Sequence, residues 1–144
     1  MKNLLTLFIS LVLLSGVIFA DETKMRTQEF PKKEMKKQNI EIAKLTAASI
    51  SKDLPHTIDN YTKLTTVINE GATLVWTFEI NTGAKSDESV RKKDYIRMKK
   101  SVTTGICQSS SKFLEAGINT SYVYVNAKSK VKLFRFDITQ KDCI

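Results

Sequence analysis

The sequence predicts an α+β fold, a two-layer domain with a four-stranded antiparallel sheet and helices over one of its faces. Three observations carry that reading. Two stretches, at about 63–80 and 121–139, alternate apolar and polar residues with period two, and each folds back on itself at a turn. Three others, at about 35–52, 88–106 and 110–116, repeat near 3.6 residues. Proline, glycine and serine-rich breaks separate the two kinds of pattern.

The polar stretch 21–31 shows no apolar period and ends at Pro31, which predicts a flexible segment ahead of a single domain at 32–144. Helical spacing starts after Lys32. Met35, Ile42, Leu45 and Ser49 share one stripe, with Ala48 and Ile50 beside it, and this stripe is expected to meet the sheet. Lys32, Lys33, Lys36 and Lys37 crowd the first turns, the unfavourable end of the helix dipole for cations, so a frayed start is expected. Pro55 ends the helix.

The first hairpin places Leu64, Thr66 and Ile68 on one face, turns at Asn69-Glu70-Gly71, and continues with Leu74, Trp76, Phe78 and Ile80. Thr65, Val67, Val75, Thr77 and Glu79 take the opposite face, which is the more polar one, so the sheet should be covered on one side only. A polar loop follows. Ser86 or Asp87 can cap the second helix, whose stripe is Tyr95, Met98, Val102 and Ile106. After Cys107 a serine run leads into a short helical turn through Phe113-Leu114 that stops at Gly117. The second hairpin pairs Tyr122-Val123-Tyr124-Val125 with the strand carrying Phe134, Phe136 and Ile138, across a turn at Ala127-Lys128-Ser129-Lys130.

Ahead of all this, Lys2 and Asn3 precede an apolar run from Leu4 to Ala20, and Asp21-Glu22 follows. That is the layout of a secretory signal peptide at 1–20, with cleavage after Ala20. The run is shorter than the ~20 residues that comfortably span a bilayer; the alternative is an uncleaved anchor. No cysteine lies near the cut to carry a lipid, and no later segment is apolar enough to span a membrane. A periplasmic or secreted location follows.

The chain has 23 basic and 15 acidic residues, a formal charge of +8. Such a balance fits acidic protein surfaces, anionic lipid, wall polymers or nucleic acid, and it also serves solubility. Export lowers the weight of nucleic acid. The cations concentrate at Arg91, Lys92, Lys93, Arg97, Lys99 and Lys100 on the second helix, and at Lys128, Lys130 and Lys132 around the last turn. These nine residues are the candidate surface for an anion or a partner.

Cys107 and Cys143 are the two cysteines. In an oxidising compartment they most simply form one bridge, pinning the C-terminus to the second helix. A redox or metal role lacks C-x-x-C spacing, and His56 is the only histidine.

Cys107, Phe113-Leu114, Gly117, Tyr122-Val123-Tyr124 and Asp142-Cys143 together resemble a group of small exported bacterial proteins with no established activity. Leu54-Pro55, Asp59, Thr62, Leu64 and the strand Trp76-Thr77-Phe78 are similar to the same group, so the resemblance covers about residues 54–143. It implies an envelope location and a bridged tail, and it supplies no catalytic residue.

The inventory for catalysis is thin. His56 stands alone beside Pro55, with Asp59 as its one nearby partner for a hydrolytic role. There is no G-x-S-x-G elbow, no phosphate-cradling glycine loop and no metal-ligand cluster in the sequence. No cofactor or metal is expected. The expected function is therefore a non-enzymatic periplasmic binding module that docks onto or blocks an envelope protein. The alternatives are an accessory component of a secretion, pilus or DNA-transfer apparatus, and a toxin-neutralising inhibitor.

Overall fold

The computed structural model describes Lys32–Cys143; the expected leader at 1–20 and flexible segment at 21–31 lie outside the described residues. The element order is α1 (Lys32–Ile50), a 3-10 turn (Ser51–Asp53), β1 (His56–Thr57), β2 (Thr62–Glu70), β3 (Thr73–Ile80), α2 (Asp87–Ser109), α3 (Ser111–Glu115), β4 (Asn119–Asn126), β5 (Lys132–Ile138) and a closing 3-10 turn (Gln140–Cys143). The α+β architecture, with helices packed on a sheet, is the one the sequence predicts.

The sheet holds five strands in the order β1-β2-β3-β4-β5. Two features go beyond two antiparallel hairpins. The two-residue β1 adds an edge by pairing His56 with Leu64 and Thr57 with Lys63. The two hairpins then join through β3 and β4, which run parallel, with Trp76 beside Tyr122 and Phe78 beside Tyr124. The chain between them carries α2 and α3, and a helical crossover of that length returns a strand in parallel sense.

α1 meets the sheet through small residues. Ala43 and Ala47 are buried, with Asn39, Thr46 and Ile50 half-buried along the same stripe. The expected stripe of Met35, Ile42 and Leu45 faces outward, and Leu45 is 61% exposed. Alanine lets the helix backbone approach closely enough to share a core with Val67 and Leu74. Periodicity alone favours the larger side chains and so picks the wrong face. Asn39 Nδ2 donates to the Ala116 carbonyl at 2.7 Å, and Ser51 Oγ donates to the Val67 carbonyl at 2.9 Å, tying the middle of the helix and the turn that follows it to the fold.

β2 contains a bulge at Thr65. Leu64 pairs with Phe78 and Thr66 with Thr77, leaving Thr65 as the extra residue. Its Oγ1 donates to the Thr77 carbonyl at 3.1 Å. The extra residue reverses the alternation, so Leu64 and Val67 both enter the core while Ile68 faces solvent. The predicted set Leu64, Thr66 and Ile68 therefore splits at the bulge. The turn to β3 uses Gly71 at φ +61°, a conformation that only glycine adopts without strain.

α2 starts where expected: the Ser89 N–H donates to Ser86 Oγ at 3.3 Å, and Asp87 and Glu88 occupy the first turn. Val90 and Ile106 are buried, and Met98 and Val102 pack beside the core. The Tyr95 ring lies over β5, 5.4 Å from Phe136 and 6.1 Å from Phe134. Cys107 and Cys143 form a disulfide with Cα atoms 5.3 Å apart, joining α2 to the closing turn. Within that turn, Asp142 accepts from both the N–H and the hydroxyl of Thr139, each at 2.8 Å.

The face opposite the helices is polar and braced. Arg135 on β5 reaches Glu70 on β2 at 2.8 Å and Asp137 at 2.9 Å. The Ser121 hydroxyl donates to Asp137, so Ser121 is fully enclosed beneath the brace.

Candidate functional site

The two long helices cover opposite flanks of one sheet face. α1 lies over β2 and β3, and α2 lies over β5. Between α2 and the loop that joins β1 to β2 part of this face stays uncovered, and the result is a cleft of about 820 Å³. Its floor is aromatic but for one aliphatic residue: Trp76, Phe78 and the aliphatic Ile80 from β3, Tyr122 and Tyr124 from β4. One wall is α2, through Arg97, Met98, Ser101 and Val102. The other is the loop between β1 and β2, through Ile58, Asp59, Tyr61 and Thr62.

Parallel pairing of β3 with β4 creates this floor. Trp76 and Tyr122 are register partners with ring centroids 6.1 Å apart; Phe78 and Tyr124 are partners stacked at 5.2 Å. Phe78 also contacts Tyr122 at 4.9 Å, and Tyr124 continues the array to Phe136 at 6.1 Å. Such rings pack in tilted and offset geometries that lock one another in place. Burial pushes both tyrosine hydroxyls up, Tyr124 to about 12, with the neighbouring Tyr122 adding to the effect. Both stay protonated at neutral pH and are neutral hydrogen-bond groups in an apolar floor.

Charge is confined to the rim. Arg97 is paired with Asp94 at 2.8 Å, and that hydrogen bond holds the Asp94 carboxyl below its ordinary value. On the opposite rim Asp59 accepts from the Tyr61 N–H at 2.7 Å. Ile58 and Tyr61 stand exposed on this loop. An apolar floor with sparse rim charges suits an apolar or amphipathic segment.

The nine cations singled out from sequence are spread more widely. The two clusters do meet at the base of α2. There Arg91 Nη1 donates to the Lys132 carbonyl at 3.1 Å, while Asp87 accepts from Asn126 Nδ2 at 2.6 Å and from Ser129 Oγ at 2.9 Å. Lys130 turns away to Glu79 at 2.7 Å, on the opposite face of the sheet from α2. Lys92 pairs with Glu88 at 2.8 Å, and Arg97 borders the cleft. Lys93, Lys99, Lys100 and Lys128 are exposed. His56 is exposed on β1, and among the described residues no hydrogen bond joins it to Asp59. Among the described residues no group of three or more His, Cys, Asp or Glu side chains is placed to hold a metal ion, and no helix is long and apolar enough to cross a membrane.

Sequence reasoning missed the cleft. Its floor residues read from the sequence as strand residues facing the helices, but alternation cannot say that α2 and the β1–β2 loop leave a gap over them. The available signal was Tyr61 and Ile58, apolar residues in a loop facing a strand with Trp76.

No family model and no curated protein matches this chain. Solved structures do match in fold. A protein of Pseudomonas aeruginosa described as secreted superposes with a TM-score of 0.67 at 14% identity, covering 76% of this chain and 96% of its own. EpsS, the pilotin of the type 2 secretion system of Vibrio vulnificus, gives 0.64 at 16% identity, covering 78% and 97%. AspS, the type II secretion system pilotin of Vibrio cholerae, gives 0.60 at 19% identity, covering 78% and 98%. The chain thus shares its fold with small secretion-associated bacterial proteins across almost their entire length.

Proposed function

We propose that this protein is a non-enzymatic accessory component of a bacterial secretion apparatus. It works in the periplasm after removal of its leader, and it holds an apolar segment of an envelope protein of that apparatus in the cleft between α2 and the β1–β2 loop. The observation that carries this reading is the fold shared with two type II secretion pilotins over nearly their whole lengths. The cleft supports it, because an aromatic floor left open between α2 and the β1–β2 loop can bury a partner's apolar side chains. The same support favours an accessory role over a blocking or toxin-neutralising one, since neither of those is named among the fold neighbours.

A photo-crosslinking amino acid at Val102, which lines the cleft, tests this in the producing cell. One envelope protein of the secretion machinery should be captured, and capture should disappear when Ile80→Arg is added. Deleting the gene should reduce the proteins exported to the medium. Unchanged export together with no captured envelope protein would remove the proposal.

A further inference from the structure

The outward face of α2 carries a patch that the cleft does not use. By helical repeat, Ile96, Lys100 and Lys93 lie opposite the inward side marked by Val90, Met98 and Val102, with Lys92, Lys99 and Thr103 on the flank next to Ile96. Ile96 is 81% exposed, the most exposed large apolar side chain among the described residues. Tyr95 and Ile96 line a shallow groove of about 470 Å³ with Lys99, Lys100, Thr103 and Thr104. Lys92 is held by Glu88 at 2.8 Å. Among the described residues no carboxylate comes within ion-pair distance of Lys93, Lys99 or Lys100, although Asp94 and Asp142 lie close enough to feel the charge of Lys93 and Lys99 respectively.

A solvated basic face needs cations alone. This one sets an isoleucine at the centre of a ring of lysines and a tyrosine at its edge. Lysine carries its ammonium on an apolar stem, so the ring can lay its stems beside Ile96 while the heads reach outward. An acidic protein surface would answer the charges and leave Ile96 in water. A bilayer interface answers both, because phosphates meet the ammonium groups and the acyl boundary lies a few ångströms deeper. We infer that the outward face of α2 docks on an anionic phospholipid surface, with headgroup phosphates on Lys93, Lys99 and Lys100 and Ile96 seated at the acyl boundary. Arg97, Met98, Ser101 and Val102 sit on other sides of the helix, so this docking leaves the cleft free and does not depend on what the cleft binds.

The test is sedimentation with vesicles. The chain beginning at Asp21 contains every element and the whole core described above, and it lacks the apolar leader that would itself enter lipid. It should bind vesicles of phosphatidylglycerol mixed with phosphatidylcholine, bind pure phosphatidylcholine far less, and be released by salt. Each lysine near such a surface strengthens partitioning about fivefold, so the pair Lys99→Gln, Lys100→Gln should weaken it about twenty-fivefold. Ile96→Ser should weaken it by roughly tenfold. All three positions are exposed, so the melting temperature should hold in both variants and a loss of fold would not explain the result. The proposal is overturned by any of three results: no binding to the phosphatidylglycerol vesicles, equal binding to both vesicle types, or binding that responds to Lys128→Gln, Lys132→Gln but not to the α2 variants. Capture of an acidic envelope protein by Lys99 and Lys100, with vesicles left unbound, would reassign the face to a protein.

Discussion

Replacing Cys107 and Cys143 together by serine should remove a large part of the stability of this fold. The bridge spans 36 positions, from the last turns of α2 to the end of the closing 3-10 turn. Closing a loop of that size in the unfolded chain removes entropy worth about 4 kcal/mol at room temperature. A chain of this size commonly has about 5–15 kcal/mol in total, so the loss is a quarter to most of it. In thermal terms it should lower the midpoint by about 15 °C, taking about 4 °C per kcal/mol for a domain of this length. The assay is urea unfolding of the oxidised chain and the double serine variant, followed by Trp76 fluorescence and by far-ultraviolet circular dichroism. The variant should keep its native spectrum, shift its midpoint downward and show a steeper denaturant slope, because its unfolded state is more open. A loss below about 1 kcal/mol would refute the reasoning. It would mean that the tail is held by local contacts, such as the Asp142 bonds to Thr139, and that the constraint on the unfolded chain counts for little.

Other outcomes follow from the packing and the charges. Ala43→Leu should cost about 1–3 kcal/mol in chemical denaturation by forcing α1 off the sheet, whereas Leu45→Ala, on the exposed side, should change stability by under about 0.5 kcal/mol. Gly71→Ala should cost about 1 kcal/mol, since the turn between β2 and β3 needs φ +61° there. Asp137 keeps its carboxyl below the ordinary 3.8 because the Ser121 hydroxyl donates to it and the Arg135 guanidinium lies beside it. The folded state therefore resists protonation there more than the unfolded chain does. That contribution is complete above pH 3.8 and is lost as pH falls through the depressed value, so Asp137→Asn should flatten the acid limb of the stability profile in that window. Spectrophotometric titration should show a tyrosine ionising at about 12 that disappears in Tyr124→Phe.

Much of the fold is legible in the residues. Ser86 marks the start of α2, Gly71 marks the first turn, and the alternation of Phe134, Phe136 and Ile138 marks β5, all as observed. What escapes the sequence is decided between elements. Thr65 looks like any other β-branched strand residue, and its role as a bulge depends on how many residues β3 offers opposite it. Ala43 and Ala47 are inconspicuous beside Ile42 and Leu45, because close approach rewards the absence of a side chain. The cleft shows the same limit. Trp76 and Tyr122 are readable as apolar strand residues, but their meeting requires the parallel seam, and their partial exposure requires the gap between α2 and the β1–β2 loop. The basic residues were conspicuous for the opposite reason, since charge is visible residue by residue.

The parallel seam has a consequence for the chain as a linear object. Among the described residues, those before Asn81 build α1 and β1 to β3; those after it build α2, α3, β4 and β5, and the disulfide closes wholly within this second portion. The two portions meet side by side along eight register partners, joined covalently by one polar connection. A protease cut in that connection should leave a nicked complex rather than two loose pieces. Expressed separately, the portions should find each other and restore the aromatic array, so Trp76 emission reports their reunion and the protein doubles as a two-fragment complementation pair.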